Sequence, residues 1–421
     1  MSSRFPRFAA TAGALAVALT LGAAAPASAQ LAGLDPASLG PEGFDTLLST
    51  AGSVPLGSTL GSVGTVGSSD FPLTGSMSPI GTPRPVDESI TESKFVEKVA
   101  HGTNADYEYW LVHSKAMKRE VIVEVKPSKI TDEGAAPVLY MLDGVDAPEF
   151  NSGWNHQGHL DQRLALENVH VVVPTGAFAA YYTDWNEADP RLGYNKWETF
   201  LTQELPGIVT EQLSTAKGYV GTNGRNAIGG ISMGGQAAMH LAATYPTLYQ
   251  GVMSFSGYYS TMDELGYQTI RGTIETRGGN LENMWGPRGS DKWKRHDTIS
   301  HPEGLENTAV YMSSGAPMVD DNDRANYGTQ PGWELNMFLG LLLESGVLEG
   351  TRAFERALDR AGVEDVKVDY AESGLHNWPN FLKNFESGWN HIMPALHGDD
   401  VEPGTGTPGS GSAGSSGSIG S

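Results

Sequence analysis

Apolar and polar positions between residues 88 and 398 follow two periods in turn. Short apolar runs of strand length recur at Val121 to Val125, Pro137 to Leu142, Val169 to Val173, Gly251 to Phe255, Ala309 to Met312 and Val366 to Tyr370. Between them lie stretches with helical spacing, Trp197 to Val209 and the Ala-rich Gln236 to Thr244. The run from Pro137 stops at Asp143-Gly144 and the run from Val169 at Pro174-Thr175-Gly176. An apolar run with no polar alternation is buried on both faces, which is the situation of a strand inside a parallel sheet. Strands alternating with helices therefore predict an α/β domain, a mostly parallel central sheet with helices on both faces. The long stretch from about residue 257 to 305, between two of these strands and with Trp285 and Trp293 in it, predicts a helical cap insertion.

The ends of the 421-residue chain read differently. Arg4 and Arg7 precede an apolar stretch, and Ala27-Ser28-Ala29 has the small-x-small pattern of a cleavage site, so residues 1–29 are expected to be a signal peptide. Secretion to the cell envelope or beyond follows, with no transmembrane span in the mature chain. Residues 30–87 are expected to be a Gly/Ser/Pro-rich spacer and residues 399–421 a Gly/Ser-rich flexible tail, which leaves residues 88–398 as the catalytic domain. The formal net charge is −22, and cleavage of the leader removes two further cations. Such an acidic surface argues against nucleic acid as a partner. The absence of cysteine excludes a Cys nucleophile, disulfides and thiolate metal sites.

Gly230-Ile231-Ser232-Met233-Gly234 matches G-x-S-x-G, with an apolar strand before it and an Ala-rich helix after it. In that strand–turn–helix context the pattern is a nucleophile elbow and predicts the α/β-hydrolase fold, with Ser232 as nucleophile. A Ser hydroxyl needs an adjacent base, and in this fold the chain order is Ser, acid, His. His376, in the loop after the run Val366 to Tyr370, stands where that base belongs. His391 and His397 lie in or after the final helix and read as surface residues, and His240 lies too far along the elbow helix to reach the hydroxyl. The residues alone leave the acid open. Asp320, Asp321 and Asp323 follow the next-to-last strand, at the usual position, yet read equally well as a solvated loop. Glu344 ends the apolar segment from Trp333, where a lone carboxylate is costly without a partner such as His⁺.

Taken together, the motifs are more specific than G-x-S-x-G. They are Leu142-Asp143-Gly144, Ser152-Gly153-Trp154, Asp184-Trp185, Lys196 to Thr202 with Glu204-Leu205-Pro206, Ile231 to Gly234, Met284 to Pro287 and His376-x-Trp378. On these the chain resembles the mycolyltransferases of mycolate-bearing actinobacteria, the antigen 85 complex and its corynebacterial relatives, over most of residues 105–395. The resemblance implies Glu344 as the acid, because the family's Glu lies in a Leu-Glu pair on a helix after that loop. It implies an oxyanion hole from the N–H groups of Val145 and Met233. It also implies sugar contacts from Asp143, Asn377 and Trp378, with Asp146 where the family carries a sugar-binding Arg. The implied activity is transfer of a long acyl group from a trehalose mono-ester lipid to a sugar hydroxyl, without metal or cofactor, at a glycolipid surface. A secreted carboxylesterase with the same triad, and a non-catalytic binding protein, are the competing expectations.

Overall fold

A computed structural model describes residues 85–397, except 101, 103 and 330–332. The expected signal peptide (1–29), all but the last residues of the spacer (30–87) and the tail (399–421) lie outside the described residues. Nine strands form one sheet: β1 (Lys94–Val99), β2 (Glu108–Ser114), β3 (Arg119–Lys126), β4 (Ala136–Leu142), β5 (His170–Pro174), β6 (Thr222–Ile231), β7 (Gly251–Phe255), β8 (Ala309–Ser314) and β9 (Val366–Tyr370). Their order across the sheet is β1-β2-β3-β5-β4-β6-β7-β8-β9. The edge from β1 through β3 to β5 is antiparallel, and the sheet from β5 to β9 is parallel. This is the α/β-hydrolase fold.

Among the described residues the twelve α-helices are α1 (Gly153–His156), α2 (Leu160–Arg163), α3 (Trp197–Thr199), α4 (Leu205–Gln212), α5 (Met233–Thr244), α6 (Glu264–Glu275), α7 (Leu281–Trp285), α8 (Asp291–Arg295), α9 (Asp321–Tyr327), α10 (Trp333–Ala361), α11 (Trp378–Leu382) and α12 (Phe385–His397). They cover both faces of the sheet. Along β4 every residue is buried. Its alternate residues part between two cores: Val138, Tyr140 and Leu142 enter the one that includes Met239 and Leu241 of α5, and Leu139 and Met141 enter the one that includes Trp389, Ile392 and Met393 of α12. This split is the strand's period of two acting on an all-apolar run.

The expected helix from Trp197 to Val209 is interrupted. Five residues, Phe200–Glu204, wind as a π-helix between α3 and α4. Pro206 has no N–H to return to the carbonyl of Thr202, which favours such a bulge there. The bulge lets the Glu204 carboxylate accept from the Ser114 hydroxyl (2.6 Å) and the Ala116 N–H (2.8 Å). The insertion between β7 and β8 is helical, as the sequence predicts, and its two tryptophans are buried within it. Trp285 and Trp293 are 2% and 0% exposed and meet edge to face at 5.0 Å. They form the interior of the cap.

No described helix is long and apolar enough to cross a membrane.

Candidate active site

At the end of β6 the chain turns sharply into α5, and Ser232 is the turning residue. Its φ of 52° and ψ of −119° are a strained pair for any side chain but glycine's, at a cost of order 1–3 kcal/mol that the surroundings must hold. Two glycines allow the turn to close. A Cβ on Gly230 would sit 2.4 Å from the carbonyl carbon of Gly234, and one on Gly234 would sit 2.4 Å from the carbonyl oxygen of Asp143. The Ser232 N–H donates to Phe255 O at the end of β7 (2.9 Å), which fastens the elbow to the sheet.

The loop after β9 brings His376 over the elbow. Its Nε2 stands 2.8 Å from Ser232 Oγ, and its Nδ1 stands 2.8 Å from Glu344 Oε2. The His376 N–H donates to Gly340 O (3.3 Å), so the same helix, α10, carries Glu344 and steadies His376. His376 is 5% exposed and Glu344 0%. The other carboxylate oxygen, Oε1, accepts from the Ser256 hydroxyl (2.7 Å), the Gly315 N–H (2.5 Å) and Asn380 Nδ2 (3.3 Å). With Nδ1–H committed to the carboxylate, Nε2 is left with its lone pair toward the Ser hydroxyl, the tautomer a base requires. Ser256, itself at φ 50°, and Gly315 and Asn380 went unnoticed in the sequence. No local pattern marks them, because each comes from a different segment.

The aspartates between β8 and α10 are not a solvated loop. Asp320 and Asp323 form a reciprocal capping box on α9. Asp323 is 1% exposed, and its Oδ1 accepts from Asn377 Nδ2 (2.7 Å). Asp320 Oδ2 accepts from Lys383 Nζ (2.6 Å) and Ser373 Oγ (3.0 Å). These two brace the loop that carries His376, while Asp321 is exposed.

Val145 and Met233 flank the elbow. The Ala147 N–H donates to Gly144 O (3.1 Å), closing a turn in which Val145 is a corner, and a corner N–H points away from its own turn. Met233 is the first residue of α5, whose N–H has no partner within the helix. Among the described residues neither N–H meets an acceptor.

The three residues expected at a sugar all lie buried. Asn377 is 1% exposed and spends both ends of its amide inside the protein, donating to Asp323 and capping α11 through Oδ1, which accepts from the Asn380 N–H (3.1 Å). Trp378, 2% exposed, packs edge to face on Trp154 at 5.2 Å. Asp143, also 2% exposed, lies near the Ser152 hydroxyl and the first N–H groups of α1 without closing a hydrogen bond to them. Burial pushes its carboxyl up to about 7. As placed, none of the three offers a surface to a sugar.

Glu198, His240 and His296 bring one ligating atom each to within 4.8 Å of one another. Glu198 and His296 already have partners within the protein, whereas His240 Nε2 is buried without one. Arg295 Nη1 and the Tyr245 hydroxyl donate to the Glu198 carboxylate at 3.0 and 2.7 Å, and Thr183 Oγ1 lies 2.8 Å from His296 Nε2. His240 stacks on His296 with ring centres 4.3 Å apart. Desolvation lowers the His240 pKa well below the ordinary range.

The Esterase family model matches residues 114–391. The diacylglycerol acyltransferase/mycolyltransferase Ag85C of Mycobacterium leprae is 28% identical over 302 residues, covering 69% of this chain and 80% of the relative. Ag85A of Mycobacterium ulcerans is 30% identical over 281 residues, covering 64% and 76%. Among solved structures, Mycobacterium tuberculosis MPT51 (FbpC1) superposes with a TM-score of 0.57 at 26% identity, covering 70% of this chain and all of that one. An S-formylglutathione hydrolase from Agrobacterium tumefaciens has the same fold, with a TM-score of 0.50 at 16% identity over 72% of this chain and 99% of its own.

Proposed function

The chain belongs to the esterase family, among relatives named mycolyltransferases, and from that premise we propose that it is a secreted serine acyltransferase moving a mycolyl or similar long acyl group from trehalose monomycolate to a sugar hydroxyl. The observation that carries the reading is the line Ser232–His376–Glu344, closed by two hydrogen bonds of 2.8 Å at a strained elbow. In this reading His376 Nε2 takes the proton of Ser232 as Oγ attacks the ester carbonyl. Negative charge forming on the carbonyl oxygen falls to the Val145 and Met233 N–H groups. Collapse breaks the bond to trehalose, which leaves with the proton returned by His376, and the acyl group stays on Ser232. An acceptor hydroxyl gives its proton to His376 and attacks the acyl-enzyme; the bond to Ser232 Oγ breaks, His376 returns the proton to Oγ, and the new ester departs.

The buried positions of Asp143, Asn377 and Trp378 support a different role for them from the one the resemblance implies. They shape the wall behind the elbow, and a sugar reaches them only if that wall opens. Water at the acyl-enzyme gives hydrolysis instead, the carboxylesterase reading. The test is incubation with trehalose monomycolate labelled in its acyl chain, with and without added trehalose, and identification of every labelled product. Diester as the main product supports acyl transfer, while free acid as the main product with trehalose in excess overturns it. A serine-directed phosphonate should label Ser232 alone.

A further inference from the structure

Val145 is held from both sides, and one buried cation touches both holds. Its carbonyl accepts from the Ala179 N–H at 2.8 Å. The next side chain, Asp146, accepts from Arg277 Nη2 at 3.1 Å. Arg277 is 1% exposed, an unusual state for an arginine, and it comes from the cap, just past the end of α6. Its guanidinium also lies over the ring of Phe178, 5.6 Å from the centre, directly before Ala179, while Nη1 donates to Thr273 O (3.2 Å) and Thr276 Oγ1 (3.3 Å) of its own helix end. The segment it leans on is strained: Ala179, Tyr181 and Tyr182 have φ of 49°, 54° and 48°. The same segment reaches the second expected oxyanion donor, since the Tyr181 N–H lies 3.3 Å from Met233 Sδ.

We propose that Arg277 is a positioning residue for acyl transfer: it ties the cap to Asp146 and Phe178 and so fixes the direction of the Val145 N–H. The inference rests on the acyl-serine reading above. An oxyanion donor acts only if it is aimed before the charge forms, and a displacement of about 1 Å can cost up to about 100-fold. A planar guanidinium with several donors and a stacking face can hold a carboxylate, a helix end and an aromatic ring at once, which an ammonium cannot. Acyl chains bound under the cap would thus meet an oxyanion site whose geometry depends on where the cap sits.

The experiment compares the full chain with Arg277→Gln, Arg277→Lys and Asp146→Asn, using a chromogenic short-chain ester and burst-phase acylation. Arg277→Gln is expected to lower kcat about 10- to 100-fold with KM within about threefold. Asp146→Asn, whose amide oxygen still accepts but carries no charge, should lose less, and Arg277→Lys should recover part of the rate. If Arg277→Gln is too unstable to assay, Asp146→Asn carries the test alone, through the same split between kcat and KM. A folded variant that acylates at the wild-type rate, or one that raises KM alone, overturns the positioning role. Failure of the wild-type protein to form an acyl-Ser232 burst overturns the underlying reading instead.

Discussion

Replacing Glu344 by Gln keeps the shape of the side chain and removes its charge, and the hydrogen bonds around it decide the consequence. Oε1 receives three donors, from Ser256, Gly315 and Asn380, and Oε2 receives one, from His376. An amide has a single oxygen. Turned so that its NH₂ faces three donors it would lose three hydrogen bonds in a buried site, at about 1–3 kcal/mol each. The opposite orientation sacrifices only one, so the amide oxygen takes the place of Oε1 and the NH₂ faces His376 Nδ1. Two donors then meet unless the imidazole changes tautomer. The new tautomer carries its proton on Nε2, toward Ser232 Oγ, where a base is needed. A wrong tautomer in a Ser-His-acid site costs roughly 10²–10⁴ in kcat. Single-turnover acylation with a chromogenic ester is the assay, with circular dichroism to check the fold and ¹⁵N spectra to report the tautomer. A rate within tenfold of wild type, or a His376 that keeps its proton on Nδ1, would refute the reasoning. Ser256→Ala removes one donor to Oε1 and leaves the tautomer alone, so its loss should be under about tenfold.

Two further outcomes follow from groups outside the triad. Asp323→Asn disturbs both the α9 cap and the bond from Asn377, one residue after the base, and should lower both the melting temperature and kcat, the latter about tenfold, whereas exposed Asp321→Asn should change the rate by less than about threefold in the same assay. The Asp143 carboxyl has a folded-state pKa of about 7 against an ordinary 3.8, so between those values the native state holds a proton that the unfolded chain has released, and the group's contribution to stability falls as pH rises through that window. Asp143→Asn removes the penalty, and the gain over wild type in urea unfolding should be near zero below pH 4 and grow to at most about 4 kcal/mol above pH 7; an equal difference at pH 4 and pH 8 would contradict it.

The parts of this molecule that sequence made legible are those set by neighbours in the chain. The apolar runs at β4, β5, β7 and β8 announce parallel strands because every residue in them is buried. The elbow is readable because Gly230 and Gly234 flank Ser232 where no Cβ fits. Two antiparallel strands were missed: β1, with four of its six residues exposed, is an edge strand whose charges mask its alternation, and β2, Glu108–Ser114, begins and ends on polar residues. The packing of the cap tryptophans is beyond local reading, since Trp285 donates its Nε1–H to the Thr183 hydroxyl, 102 positions away.

The choice of acid shows where local reading stops. Asp323 and Glu344 are both buried carboxylates after β8, and at sequence level the aspartate has the better position. What separates them is the donors that gather on each. The Asp323 carboxylate accepts one main-chain N–H, that of Asp320, and one amide, that of Asn377. Glu344 gathers an imidazole, a hydroxyl, an amide and a main-chain N–H from three stretches of chain that only the folded sheet assembles. A buried carboxylate ringed by neutral donors, with one titratable ring among them, is built to orient and stabilise that ring when it becomes charged. The same logic puts Arg277 in the design: its partners, Asp146 and Phe178, are distant in sequence, and its burial alone sets it apart from the other arginines among the described residues.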